Sequence, residues 1–197
     1  MESVLSIRDV NKGFGGVVTA KDITFDVMPG RIHGLIGPNG AGKSTLMNMI
    51  SGILPQDKGA IFLKDTEISS LPAYTRSRMG IGRTFQTPRF LNQASLEVNL
   101  RLATDLKNHR TGFLASFFKA HDRSFIHELG QYMELAGFSF DLHGQVSSLT
   151  YGQLKILEIV RSLLAHPKVI LVDEPCAGLN DKETENVVAL LKKAAYD

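Results

Sequence analysis

The apolar positions of this chain change period twice. In the first third they come in short runs. Leu5-Ser6-Ile7-Arg8-Asp9-Val10, Ile23-Thr24-Phe25-Asp26-Val27 and His33-Gly34-Leu35-Ile36 read as strands, the last as the end of a buried one, with Pro29-Gly30 as the turn between the second and third. Leu46 to Ile50 reads as a helix ended near Gly52, Pro55-Gln56-Asp57-Lys58-Gly59 as another turn, and Ala60-Ile61-Phe62-Leu63 as a strand. From about Ser95 to Leu142 the spacing becomes helical, marked by Leu96, Asn99, Leu100 and Ala103 and later by Ile126, Leu129, Met133 and Leu135. Lys107 to His121 is less regular. Its Phe113, Leu114, Phe117 and Phe118 predict local packing in preference to an amphipathic contact surface. After Ser148 the pattern is mixed again. Gln153 to Ala165 predicts an amphipathic helix with Leu154, Leu157, Ile159, Val160 and Leu163 apolar, ended by His166-Pro167. Val169-Ile170-Leu171-Val172 then predicts a strand buried on both faces.

Together these patterns predict an α/β core with an inserted helical subdomain. The 197 residues suit one domain, or one domain with a subdomain, and a hydrophobic fraction of 43% supports a real core. A net charge of +2, with no basic run longer than Lys192-Lys193, argues against a nucleic-acid partner. The single Cys176 excludes an internal disulfide and fits a reducing cytoplasm. No apolar stretch reaches the length of a membrane span, so any membrane role is expected to be peripheral.

The densest chemistry lies in Gly37-Pro38-Asn39-Gly40-Ala41-Gly42-Lys43-Ser44-Thr45, which fits G-x-x-x-x-G-K-[ST], the phosphate-binding loop of nucleotide hydrolases. Gly37, Gly40 and Gly42 leave backbone N–H groups free to approach a phosphate chain. The helix start adds partial positive charge, Lys43 a full charge near the β and γ phosphates, and Ser44 a hydroxyl for Mg²⁺. The alternative is a plain Gly-rich turn. A second candidate site is Asp173-Glu174, at the C-terminal edge of the Val169–Val172 run. Adjacent carboxylates there are costly to desolvate unless they meet a cation or do chemistry. Asp173 is expected to hold the Mg²⁺ shell, and Glu174 to orient and polarise an attacking water as general base. A solvent-facing acidic turn is the bland alternative.

Leu149-Thr150-Tyr151-Gly152-Gln153 opens a helix roughly twenty residues before that pair. With it the chain resembles the ATP-binding subunits of ABC transporters, whose signature loop usually reads Leu-Ser-Gly-Gly-Gln. Thr150 keeps the hydroxyl, Gly152 and Gln153 are retained, and Tyr151 replaces a glycine. The resemblance implies that this loop binds the γ-phosphate held by a second ATPase subunit, in a head-to-tail homo- or heterodimer with two ATP molecules. A simple N-cap by Thr150 is compatible with that role. Gln86, in Gly82-Arg83-Thr84-Phe85-Gln86, matches the Q-loop glutamine, which senses Mg²⁺ and the attacking water. Phe14 matches the aromatic that stacks on adenine, although a lone Phe is otherwise more often core. Ala177-Gly178-Leu179-Asn180 matches the D-loop, with Asn180 where aspartate is usual.

Gly80 to Gln86, the Thr-Tyr-Gly-Gln signature followed by Leu157-Glu158-Ile159, and Asp173 to Asn180 together resemble the ATP-binding subunits of branched-chain amino acid importers. Urea, amide and other importers share much of this pattern. The resemblance implies a P-loop NTPase with a RecA-like core, an N-terminal antiparallel β-subdomain and an inserted α-helical subdomain. Residues 1–86 are expected to carry the β-subdomain and phosphate loop, 87–148 the helical subdomain, and 149–197 the signature and Walker-B part of the core. The cofactors implied are ATP and Mg²⁺. The partners implied are a second ATPase subunit, membrane permease subunits and, indirectly, a solute-binding protein, with the chain peripheral on the inner face of the cell membrane. The resembled family continues past Asp197 with another strand and a switch histidine, and none of the six histidines fits that place. A truncated chain that hydrolyses ATP weakly on its own is therefore expected. Two alternatives stay open: a soluble ABC ATPase acting on nucleic acid or ribosomes, and a catalytically weak nucleotide-binding fragment.

Overall fold

The computed structural model describes residues 2–105, 123–139 and 141–196. The Phe113–Phe118 cluster lies outside them. The chain divides into two compact units, Met1–Gly82 with Ala195–Asp197, and Arg83–Ala194.

The first unit is built on a four-stranded antiparallel sheet in the order β2-β1-β3-β4. Its strands are β1 (Leu5–Phe14), β2 (Val17–Val27), β3 (Lys58–Leu63) and β4 (Thr66–Glu67). Leu5 pairs with Val27 and Leu63, and Ile7 with Phe25 and Ile61. Alternation therefore stacks Leu5, Ile7, Ile61 and Leu63 on the buried face. The register slips at Arg8–Asn11, where Asp9 takes φ 48°. Gly59 lies against that bulge, and a Cβ there would overlap the Asp9 carbonyl. Helices α1 (Lys43–Ser51) and α2 (Ala73–Met79) complete the unit, with Leu46, Met49 and Ile50 buried. Two carbonyls in the last turn of α1 meet a buried arginine. Arg76 donates from Nη1 to Met49 O (2.6 Å) and Ile50 O (3.0 Å), and from Nε and Nη2 to Leu71 O and Ser69 O.

One expectation fails in this unit. Residues 31–38 form no strand, and Ile32, Leu35 and Ile36 are exposed at 57%, 43% and 94%. A strand exists by pairing, and among the described residues no strand pairs with this segment. The apolar run by itself states only that the segment suits burial.

The second unit is helical around a short sheet. Strand β5 (Ile81–Arg83), in which the chain passes into this unit, lies beside β6 (Val169–Leu171), and the Thr84 amide donates to Leu171 O at 3.0 Å. Among the described residues the helices here are α3 (Leu96–Asp105), α4 (Arg123–Ala136), α5 (Tyr151–Leu164) and α6 (Asp181–Tyr196). Helix α5 is central. Ile156, Leu157, Ile159, Val160, Leu163 and Leu164 are all buried, joined by Leu96 and Leu100 of α3, Leu129 of α4, and Val187 and Leu190 of α6. The burial spreads well beyond one stripe, so the amphipathic reading of this helix understated its role. On α4 the core face contains Phe125 and Leu129, whereas Ile126 is 45% exposed. Strand β6 is shorter than expected and Ile170 is half-buried.

Candidate functional site

The sequence-predicted residues fall into two groups, one in each unit. In the first unit, Gly37 to Gly42 form the loop that enters α1. Gly40 and Gly42 take φ 80° and 85°, a left-handed conformation that favours glycine. A Cβ on Gly42 would stand 2.5 Å from Thr19 O, so the position has neither the backbone angle nor the space for a side chain. Gly42 is also the N-cap of α1, and no side chain caps that helix. Its first N–H groups are thus left to an external acceptor, the arrangement an anion needs. Lys43 turns back over the loop, donating from Nζ to Gly37 O and Pro38 O at 2.8 Å each. The ammonium lies where the loop folds and is held by weak neutral acceptors that a phosphate oxygen outcompetes. Pro38, Asn39, Ala41 and Ser44 are exposed and Thr45 is half-buried. Phe14 ends β1 at the hairpin tip, 48% exposed, with Lys12 Nζ 5.4 Å from its ring centroid. It is not a core residue, and one face of the ring is already taken by a cation. Asp57 anchors that lysine and accepts from the Gly13 amide, and these bonds hold its carboxyl below the usual value.

In the second unit, residues far apart in sequence meet at the end of β6. Asp173 is half-buried and Glu174 exposed. Glu174 therefore does not bear the burial that makes adjacent carboxylates costly. What marks Glu174 is its backbone, at φ 47°, a conformation that costs a non-glycine residue roughly 1–2 kcal/mol. Its carbonyl accepts from the Ala177 amide at 3.2 Å and from Lys155 Nζ at 2.8 Å. Its Oε2 accepts from Gln86 Nε2 at 3.5 Å, so the two residues expected to handle water face one another across 88 positions of chain. Tyr151, whose hydroxyl donates to Gln86 O at 3.4 Å, stands beside them.

The start of α5 is fixed by a reciprocal capping box. The Gln153 amide donates to Thr150 Oγ1 (3.3 Å), and the Thr150 amide donates to Gln153 Oε1 (2.9 Å). The N-cap reading of Thr150 is correct, and Gln153 shares the task. Gly152 is buried against Glu183, whose carboxylate would overlap any Cβ placed there. Glu183 is held in turn by a second reciprocal pair at the start of α6. The Asn180 amide donates to Glu183 Oε2 (3.0 Å), and the Glu183 amide donates to Asn180 Oδ1 (2.9 Å). Asn180 is a good residue for this capping task, a reason for the asparagine that the sequence did not disclose.

Beneath the turn lies a small cavity with room for about one water, lined by Thr84, Phe85, Lys155, Glu158, Ile159, Asp173 and Pro175. Glu158 is 2% exposed, accepts from the Phe85 amide at 3.3 Å and lies 3.7 Å from Arg161. Burial raises its carboxyl above the usual value, outweighing the hydrogen bonds and the two cations beside it. Lys155 was missed in sequence, and Glu158 was noted only within Leu157-Glu158-Ile159, without a role; both sit within an apolar run. Their signal was the charge itself on a helix otherwise suited to burial.

For ATP, the uncapped α1 start and the glycine cradle fit a phosphate chain. For Mg²⁺, the expected ligands Ser44, Gln86 and Asp173 are a hydroxyl, an amide and a carboxylate. Among the described residues no group of three or more His, Cys, Asp or Glu gathers as a metal cage. A sparse oxygen set suits Mg²⁺, which keeps waters and nucleotide phosphates as its other ligands.

Residues 20–177 match the ABC transporter family profile. The chain belongs to the ABC transporter family. It is 33% identical over 196 residues to the high-affinity branched-chain amino acid transport ATP-binding protein LivG of Escherichia coli K12, covering 96% of this chain and 76% of LivG. BraF of Pseudomonas aeruginosa, with the same description, is 32% identical over 195 residues, with 96% and 76% covered. Among solved structures, the ADP conformation of an ATP-binding cassette of an ABC transporter superposes with a TM-score of 0.78 at 28% identity, covering 99% of this chain and 78% of the other. An ATP-binding subunit of an ABC transporter superposes with a TM-score of 0.81 at 24% identity, covering 98% and 75%, a likeness of fold. As a family member this chain is an ABC ATP-binding subunit with the P-loop ATPase fold. No helix among its described residues is long and apolar enough to cross a membrane.

Proposed function

We propose that this chain is the ATP-hydrolysing subunit of an importer for branched-chain amino acids. The observation that carries the hydrolytic reading is the meeting of Gln86 and Glu174 beside the first turn of α5. The substrate class rests on the likeness to LivG and BraF over nearly the whole chain. Gly37–Thr45 bind the phosphates through backbone N–H groups, Lys43 leaves its two loop carbonyls for phosphate oxygens, and Phe14 offers its exposed face to the adenine. The resemblance to ABC ATPases makes Ser44, Gln86 and Asp173 the residues that would serve Mg²⁺, which would supply charge neutralisation on the phosphates. Glu174 takes a proton from the attacking water, and Gln86 orients that water.

The α5 start, Thr150 to Gln153, presents its helix N-terminus to the γ-phosphate of a second ATPase subunit, with the Gln153 amide already held by the Thr150 cap. A subunit on its own lacks that contribution at its own nucleotide and turns over slowly. ATP binding then favours a closed dimer, and this differential affinity drives the permease subunits, with a solute-binding protein delivering the amino acid. The chain is peripheral on the cytoplasmic face of the membrane.

Equilibrium binding of Mg-ATP and single-turnover cleavage test the reading together. Lys43→Ala is expected to weaken binding about 10- to 100-fold, the loss of a charge-assisted bond to phosphate. Glu174→Gln is expected to keep binding and lower cleavage about 100-fold or more. Unchanged cleavage in Glu174→Gln would refute the assignment of the base. Uptake of leucine, isoleucine and valine by the reconstituted importer, lost with either variant, tests the substrate class.

A further inference from the structure

We propose that Lys155 is a positioning residue for Glu174, acting on its backbone. The proposal rests on the reading of Glu174 as the general base. Lys155 is only 4% exposed, in the second turn of α5. A buried ammonium needs partners for its charge and its three protons. Its Nζ is aimed at the carbonyl of Glu174, 2.8 Å away, and stands 5.6 Å from the centroid of the Tyr151 ring, one helical turn earlier on the same face. It also lines the water-sized cavity shared with Glu158 and Asp173.

The carbonyl it holds belongs to the residue with the least favourable backbone in this turn. Glu174 sits at φ 47° with its side chain in solvent, fastened by one long contact to Gln86. Packing does not fix where that carboxylate points. Its direction is set by the peptide, and the peptide is held by two donors, the Ala177 amide from within the turn and Lys155 from α5. Only the second comes from outside the turn. Tyr151 reaches Gln86 O from the same helix face. One face of the signature helix therefore touches both residues assigned to the water. A shift of α5 on engaging a partner's γ-phosphate would be transmitted through Lys155 to the base.

The test uses the whole chain with Mg-ATP. Hydrogen exchange at the Ala177 amide reports the turn, because that amide donates to the same carbonyl. In Lys155→Met, which keeps the length of the side chain, exchange at Ala177 is expected to quicken about tenfold or more while the amides of Val160 and Leu163 keep their protection. Single-turnover cleavage is expected to fall about tenfold or more with ATP affinity within about twofold, the split expected when a group acts in the transition state alone. Lys155→Arg, which retains a cationic donor, is expected to preserve most of both. Wild-type exchange at Ala177 in Lys155→Met would overturn the proposal. So would loss of protection along all of α5 together with loss of ATP binding, since Lys155 would then be a packing residue only. Glu174→Gln, run alongside, separates the two readings. If it cleaves ATP at the wild-type rate, the base is misassigned, while exchange at Ala177 still decides whether Lys155 holds the turn.

Discussion

The two groups of candidate residues, one in each unit, are made in opposite ways. The phosphate loop is nine consecutive residues whose work is done by backbone, with Gly40 and Gly42 at positive φ and a helix start left uncapped. The group around Glu174 is assembled from side chains at positions 86, 151, 155 and 174, and its helices are locked by the pairs Thr150–Gln153 and Asn180–Glu183. The first rests on backbone geometry at a few consecutive positions. The second spreads its contacts over side chains from several elements.

Substituting a glycine in each group measures that difference. Gly42→Ala places a Cβ against the Thr19 carbonyl at φ 85°, and neither backbone can yield cheaply. A loss of about 3 kcal/mol in unfolding free energy is expected, together with loss of ATP binding. Gly152→Ala also meets an obstacle, but it is the end of the flexible Glu183 side chain. The carboxylate is expected to swing away and give up its bond from the Asn180 amide, at about 1 kcal/mol. Adding Gly152→Ala to a Glu183→Ala background should then cost little, because the obstacle has gone. Denaturant unfolding of the three variants checks both statements. A larger loss for Gly152→Ala than for Gly42→Ala would reverse the contrast.

A smaller effect concerns Glu158. Its carboxyl is raised above the ordinary value of 4.5 by burial, so between that value and its folded value the native state binds more protons than the unfolded chain. The stability it withholds is therefore absent below about pH 4.5 and grows as pH rises through the folded value. Glu158→Gln keeps an acceptor for the Phe85 amide and does not titrate. Whatever the difference in Tm between the variant and wild type at pH 4, it is expected to move in the variant's favour by pH 7. A difference that stays flat with pH would mean that Glu158 is not buried as a charge.

Much of this was legible in the residues alone. The antiparallel strands, the helices from Leu96 onward and the helix opened by Thr150 follow from period and capping chemistry. The misreadings share a cause. Residues 33–36 look like a strand because their side chains suit burial, yet a strand also needs a neighbour to accept its backbone bonds. Ile126 looks like core because it is apolar, yet the face of α4 that packs is set one residue away, at Phe125. Lys155 was passed over, and Glu158 was given no role, because a charge in an apolar run has no evident use until its partners are seen.

The sequence by itself determined the phosphate-loop motif, several of the strands and helices, and the family. These depend on local backbone preferences and on residues close together in the chain, where glycine, a cap or a lysine has one physical use. Only the tertiary structure decided that Gln86 faces Glu174, that Lys155 holds the Glu174 carbonyl, and that Gly152 is required by Glu183. Those contacts join positions tens of residues apart, and they exist only once burial of the α5 core has brought the surrounding elements together.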